Sequence, residues 1–448
     1  MARLLVLLQL LVASLAVGVV TDAGGGSLDF RGDLDHPYAR SSLSRHEVIR
    51  QGAHASKARA AWLTAKLAGA LSNKLGGDVS AADMPLAPLS EQAHSLTVGI
   101  GMPPQRRTLI VDTGSDLIWT QCKLFSRRGG NKKREPLYDP AVSSSFAFIP
   151  CSNMLCQEGQ FSFKNCSKNR CLYVDVYGSA AASGVLASEN FTFGVHHTVS
   201  LPLGFGCGAL SAGSLVGASG ILGLSPETMS LISQLAIPRF SYCLTPFADR
   251  RTSPILFGAM ADLSKHKTTG PIQTTSLLSN PVETVYYYVP LVGISLGTKR
   301  LAVPAASLAM RPDGTGGTIV DSGSTVAYLV QPAFKAVKKA VMEAVKLPVA
   351  NQTAEDYDLC FALPRRTAME VVQAPPLVLH FDGGAAMVLP RNNYFQEPRA
   401  GLMCLAVAEA MDGSGVSIIG NVQQQNMHVL FDVRNQKFSF APTQCDQI

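Results

Sequence analysis

Twice in this chain a run of strand-forming apolar residues ends on an aspartate that is followed by a hydroxyl residue, a glycine and a serine. The first copy is Leu109-Ile110-Val111-Asp112-Thr113-Gly114-Ser115, within Thr108–Cys122. The second is Ile319-Val320-Asp321-Ser322-Gly323-Ser324, within Thr318–Thr325. An acid at the end of a buried strand is costly unless hydrogen bonds or a second group hold its charge. Thr113 and Ser115 are suited to donate those bonds, and Gly114 lets the backbone turn closely around the carboxylate. Two copies at domain-sized separation demand a fold in which two similar halves each deliver one carboxylate, and they point to a paired-carboxylate site.

The rest of the chain repeats with them. Ser95–Ile100, a turn, then Arg107–Val111 reads as a hairpin feeding the first Asp loop. Tyr286–Ile294, a turn and Arg300–Val303 open the second half. Each half then closes on an apolar-apolar-Gly element, Gly220–Gly223 and Ser417–Gly420, followed by Arg239-Phe240-Ser241-Tyr242 and Lys437-Phe438-Ser439-Phe440. With 39 glycines, 26 prolines and few helical patterns (Ser230–Leu235 and Pro332–Val345 are the best), the expected class is all-β. Only 16% of residues are charged against 47% hydrophobic, which excludes a disordered chain; a net charge of +6 suggests no nucleic-acid role.

Residues 1–23 read as a secretory signal peptide, with Arg3 ahead of an apolar stretch and small residues up to Ala23 for cleavage. In an oxidising compartment ten cysteines are expected to form disulfides, but ten allow roughly 945 pairings. The sequons at Asn165, Asn190 and Asn351 fit the same route as glycosylation sites. Residues 24–85 are expected to be prosegment and linker. Within them the capping pattern Ser44-x-x-Glu47 opens an Ala-rich helix that stops at Gly76-Gly77. Arg40, Arg45, Arg50, Lys57, Arg59, Lys66 and Lys74 face a single acid, Glu47, so this helix either covers an acidic cleft or is a solvated surface helix. Residues 86–280 and 281–448 would be the N-terminal and C-terminal lobes.

From Ser90 to Cys445 the chain resembles the pepsin-like aspartic proteases, and within them the nepenthesin-type (atypical) plant secreted branch. The residues that carry the resemblance are Asp112–Cys122, Phe205–Gly208, Phe240–Leu244, Asp321–Thr325, Gly420–Asn426 and Phe438–Cys445. It implies a bilobal all-β fold with Asp112 and Asp321 meeting at the floor of the cleft. It also implies a secreted acid endopeptidase, extracellular (apoplast) or vacuolar, monomeric, acting on protein or peptide substrates. No metal or other cofactor and no nucleic-acid or membrane partner is called for. Two close carboxylates share a proton; the ionised one takes a proton from water, and the protonated one polarises the scissile carbonyl. Ser115 and Ser324 would orient the carboxylates, Tyr177 would be the flap tyrosine and Trp119 its holder. The implied disulfides are Cys151–Cys171, Cys156–Cys166, Cys243–Cys445 and Cys360–Cys404, leaving Cys122–Cys207.

Two departures from that branch stand out. The flap reads Tyr177-Gly178-Ser179-Ala180-Ala181-Ala182, one residue short and without its usual acid. The loop after Cys122 carries Lys123, Arg127, Arg128, Lys132, Lys133 and Arg134 in place of two cysteines. A non-catalytic binding protein on the same scaffold, like the glycosidase-inhibitor relatives of this fold, is the alternative; those relatives usually lose an Asp or its loop, and here both are intact.

Overall fold

The computed structural model describes residues 28–35, 43–74, 94–125, 137–177, 180–194, 198–212, 215, 217–247, 251–351, 353–354, 356–410 and 415–448. The expected signal peptide, the expected linker after residue 74 and most of the basic loop lie outside these.

The expected hairpin is present as β2 (Ser95–Ile100) and β3 (Gln105–Asp112), preceded by β1 (Phe30–Asp35) and α1 (Arg45–Lys74). β2 and β3 pair from Ser95↔Ile110 to Ile100↔Gln105. β4 (Trp119–Gln121) follows the first Asp loop, and Gly220–Gly223 lies between β3 and β4, parallel to the former in register Gly223↔Asp112. A Cβ on Gly220 would come 1.8 Å from the Trp119 carbonyl oxygen, so only glycine permits this approach. The second half repeats the design: Ser417–Ile419 runs parallel to Thr318–Val320 and antiparallel to Ala327–Leu329. In each half the Asp loop therefore leaves a strand clamped on both sides, which fixes the carboxylate's position.

The halves share one sheet. Its path runs Gln273–Ser276, Lys437–Pro442, Met427–Asp432, Arg239–Cys243, Ser253–Phe257, β1, β2, β3. The two echoing strands, Arg239–Cys243 and Lys437–Pro442, flank Met427–Asp432 from either side. Their alternating apolar residues stack into an aromatic spine: Phe240 on Phe431 at 4.9 Å and Phe431 against Phe438 at 5.1 Å. All three rings are fully buried, each contributing about 1.5–3 kcal/mol of burial. Both helices expected in the body of the chain are present: Leu231–Gln234, capped by Ser230, and Gln331–Ala344, which buries Ala333, Phe334, Val337, Ala340 and Val341 as one stripe.

Within the stretch 24–41, whose sequence reads as extended or loose, Phe30–Asp35 is a strand inside the shared sheet, paired with Ser253–Phe257 from Phe30↔Phe257 to Leu34↔Ser253 and with β2 at Leu34↔Leu96. Alternation of Phe30, Gly32 and Leu34 with polar residues is its signal. Two disulfides are exchanged relative to the expectation: the bonds are Cys151–Cys166 and Cys156–Cys171, not Cys151–Cys171 and Cys156–Cys166. Cys171 lies on the inner strand of its hairpin in the core and meets Cys156 on the short helix Met154–Glu158. Cys166, opposite Cys171 on the exposed outer strand, is reached by Cys151 from the preceding turn. Cys122–Cys207, Cys243–Cys445 and Cys360–Cys404 form as expected.

Candidate active site

The two Asp loops meet back to back and lock together. The Ser322 amide donates to Thr113 Oγ1 at 2.9 Å, and the Thr113 amide donates to Ser322 Oγ at 3.1 Å. Ser322 Oγ donates across to the Val111 carbonyl, and Thr113 Oγ1 to the Val320 carbonyl. Thr113 thus does not serve Asp112, as its position suggested; it ties the halves together. The carboxylates are served symmetrically. Ser115 Oγ donates to Asp112 Oδ2 and Ser324 Oγ to Asp321 Oδ2, both at 2.6 Å. The Gly114 and Gly323 amides donate to the respective Oδ1 atoms at 3.0 and 2.9 Å. Each glycine also makes room for the opposite acid: a Cβ on Gly114 would lie 2.6 Å from Asp321 Oδ1, and one on Gly323 2.4 Å from Asp112 Oδ1.

Between the carboxylates sits Arg59 of α1. Its Nη2 donates to Asp112 Oδ1 at 2.7 Å and to Asp321 Oδ1 at 3.0 Å. Nη1 reaches Asp112 Oδ2 at 3.0 Å and Nε reaches Asp321 Oδ2 at 2.8 Å. Arg59 is 2% exposed and the two acids 1% and 0%. Burial opposes the guanidinium's charge, but the two carboxylates outweigh it and hold Arg59 protonated more firmly than usual. Burial and the neighbouring Asp112 push the Asp321 carboxyl up, with Arg59 and Ser324 pulling the other way. The planar fork of arginine, not the point charge of lysine, is what can serve four oxygens at once.

The helix that carries Arg59 is buried along one face, which decides between the two readings of the basic stretch. Its capping box forms, Ser44 N to Glu47 Oε2 at 2.8 Å and Glu47 N to Ser44 Oγ at 3.3 Å. Ser56 Oγ accepts from the Thr325 and Val326 amides, immediately after the second Asp loop. Ile49 and Ala53 pack with Tyr357, Leu402 and the Cys360–Cys404 bridge, and Ala60, Trp62 and Leu63 with Phe247, Tyr286, Tyr288 and Val326. His54 and Lys57 both reach Asp356, at 3.0 and 3.3 Å. Sequence reasoning missed Arg59 and Ser56 individually. The available signal was that Arg59 lies among Ala58, Ala60 and Ala61, small neighbours that allow deep insertion.

The segment expected to be the flap forms the hairpin Arg170–Tyr177/Ala180–Phe193, with Tyr177↔Ala180 as its last pair. Residues 178–179 lie outside the described residues. Trp119 is fully buried on β4 beside Ile221; the side chain of Tyr177 lies outside the described residues. The glutamine-rich segment Gly420–Asn426 proves to be a brace. Asn421 Nδ2 donates to the Ser322 carbonyl, Gln424 Nε2 to those of Ile419 and Gly420, and Gln423 Nε2 to those of Asn393 and Ala406. Of the sequon asparagines, Asn165 and Asn351 are exposed and Asn190 is half-buried, its amide donating to Met102 Sδ. Lys123 pairs with Asp139 at 2.7 Å. No described helix is long and apolar enough to cross a membrane.

Comparison with known proteins fits this geometry. Residues 94–259 match the family described as Xylanase inhibitor N-terminal, and residues 286–442 the family described as Xylanase inhibitor C-terminal. Over 356 residues the chain is 40% identical to aspartic proteinase nepenthesin-1 of Nepenthes gracilis, covering 79% of this chain and 78% of that one. Over 453 residues it is 33% identical to nepenthesin-2 of the same plant, covering 98% of each. The chain belongs to the nepenthesin-type aspartic proteases. Its fold is also that of edgp (TM-score 0.64, 19% identity, covering 82% of this protease and 99% of that chain) and of basic 7S globulin from soybean (0.61, 17%, 80% and 94%). The protease is an aspartic-type endopeptidase, and in the arrangement described here its carboxylates are occupied by its own Arg59.

Proposed function

We propose that this protein is a secreted acid endopeptidase made as a precursor, in which residues 24–85 form a prosegment and linker, helix α1 is removable, and Arg59 fills the place of the reacting water and carbonyl. The observation that carries the reading is the four-bond contact of Arg59 with Asp112 and Asp321. While the guanidinium is in place, neither carboxylate can accept a proton from water. When α1 leaves, two carboxylates held close by their glycine and serine donors can no longer both stay ionised easily, so they share one proton. The ionised member then activates water, and the protonated member donates to the carbonyl oxygen and stabilises the gem-diol. Ser115 and Ser324 keep the outer oxygens oriented throughout. Acid favours activation because protonating a carboxylate removes half of what holds Arg59. Both complete Asp loops support catalysis over a binding-only role.

The test is to acidify the purified full chain beside its Asp321→Asn variant. Expected are self-processing and peptidase activity in the first alone, blocked by a statine-type diol mimic, which binds more tightly than substrate. A neutral optimum that is abolished by chelators would refute the mechanism.

A further inference from the structure

By position in the chain β1 belongs to the prosegment; by position in space it belongs to the catalytic body. Its backbone pairs with Ser253–Phe257 on one side and reaches β2 on the other. Phe30 and Leu34 are 2% and 0% exposed and are part of the main core. Phe30 stacks on Phe257 at 4.2 Å and leans on Phe193 at 5.1 Å. Gly32 is fitted over Leu96, whose Cδ1 would lie 2.7 Å from an added Cβ. At its ends Asp29 Oδ1 accepts from the Ala259 amide, and Arg31 Nη2 donates to the Ile448 carbonyl.

We infer that Phe30–Asp35 stays in the sheet as a separate peptide after the prosegment is cut, so that the working protease is a two-chain particle that has lost α1 and kept β1. Losing the strand would strip hydrogen-bond partners from Ser253–Phe257 and uncover Phe257 and Phe193. The sequence that would remain ahead of β2, Leu86-Ala87-Pro88-Leu89-Ser90-Glu91-Gln92-Ala93, makes a poor substitute. Pro88 has no N–H to give a ladder. Leu86 and Leu89 are three apart and fall on opposite faces of a strand, whereas Phe30 and Leu34 are four apart on one face. The anchors also differ in kind. α1 is held by charged side chains paired with the carboxylates of Asp112, Asp321 and Asp356. β1 is held by backbone bonds and stacked rings, with one carboxylate contact, Asp29 to the Ala259 amide, at its edge.

The inference rests on α1 being removable, but its test need not depend on catalysis. In an Asp112→Asn full chain, recognition sites for an added protease are placed within residues 36–42 and 78–84. The chain is cut at neutral pH, acidified and passed through a sizing column, and the fractions are weighed by mass spectrometry. The α1 peptide is expected in the low-mass fraction, and the β1 peptide is expected to co-elute with the catalytic chain in equal amount. The same experiment with Leu34→Asp should move the β1 peptide to the low-mass fraction. Recovery of the unmutated β1 peptide at low mass overturns the inference, whether the remaining chain stays folded or precipitates. Retained β1 beside an inert wild-type enzyme would count against the peptidase reading alone.

Discussion

The two halves of the cleft are built alike and covered unlike. Around Asp112 and Asp321 every donor has its counterpart: serine hydroxyl, glycine amide, and a crossed bond from Thr113 or Ser322. Outside that core the symmetry stops. α1 is fastened to the C-terminal half by Ser56 on the Thr325 and Val326 amides, by His54 and Lys57 on Asp356, by Arg50 on the Pro398 carbonyl, and by Ile49 and Ala53 on the Cys360–Cys404 bridge. On the N-terminal half the described residues attach it through Arg59 on Asp112 and apolar packing beside Val176 and Phe247. The chemistry needs equal partners, but closing the site needs only one half to carry the helix.

The symmetry breaks most visibly if either acid is neutralised. If the precursor is processed as proposed, Asp112→Asn and Asp321→Asn should each lower kcat of the product by a factor on the order of 10⁴, and the double variant should be little worse because the pair acts as a unit. Steady-state kinetics on a peptide decide it; a single variant that keeps most of its activity would show that the two halves are not equivalent.

Arg59→Met removes the side chain that bonds both acids. It leaves two buried acids without a cation, and should cost the closed precursor about 3–5 kcal/mol. The expected readout is a diol-type inhibitor that binds the uncleaved chain, which the unmodified precursor should refuse at neutral pH.

His94 sharpens the comparison from the side of acid stability. Burial lowers its pKa to about 4, and its Nδ1 lies 3.3 Å from the amide of Asn421, which braces the second Asp loop. Its folded pKa is below the unfolded value near 6.5. Its stability contribution is therefore complete above about pH 6.5 and falls by about 3 kcal/mol as pH drops to 4. His428, lowered to about 3 by burial and by His266, adds to the same loss. His94→Gln should flatten the melting temperature between pH 6.5 and 4; an unchanged slope would place the acid sensitivity elsewhere.

Smaller effects test the asymmetry itself. Ser56→Ala leaves two amides after the second loop without their acceptor and should weaken closure by about 1–3 kcal/mol, seen as faster processing at a given pH. Asp356→Asn should cost less than about 1 kcal/mol, because His54 and Lys57 are 55% and 53% exposed and screened by water. If Asp356→Asn proves the more damaging, the helix is held by its rim and not by the loop.

What the sequence disclosed follows the same division. The Asp loops, the hairpins and the Gly220 and Gly420 elements were legible because each must satisfy a local rule: a strand, a turn, a close approach. Helix α1 was legible as a helix through Ser44 and Glu47, but the depth of Arg59 was not, since burial of a cation depends on acids far along the chain. Thr113 misled for a similar reason: a hydroxyl beside an acid looks like its donor, and only the second loop shows where it points. The pairing of Cys151 and Cys156 turned on which strand of a hairpin faces the core, which their even spacing does not encode.

The position of Arg59 has a consequence for what a cell does when it makes this protein. In the proposed reading each molecule folds with its cleft already filled, so the amount of protein and the amount of proteolysis are separate quantities. Raising expression fills a store; it does not digest anything. Output is set by how fast one helix is withdrawn, and the acidity of the surrounding compartment, not the promoter, becomes the throttle.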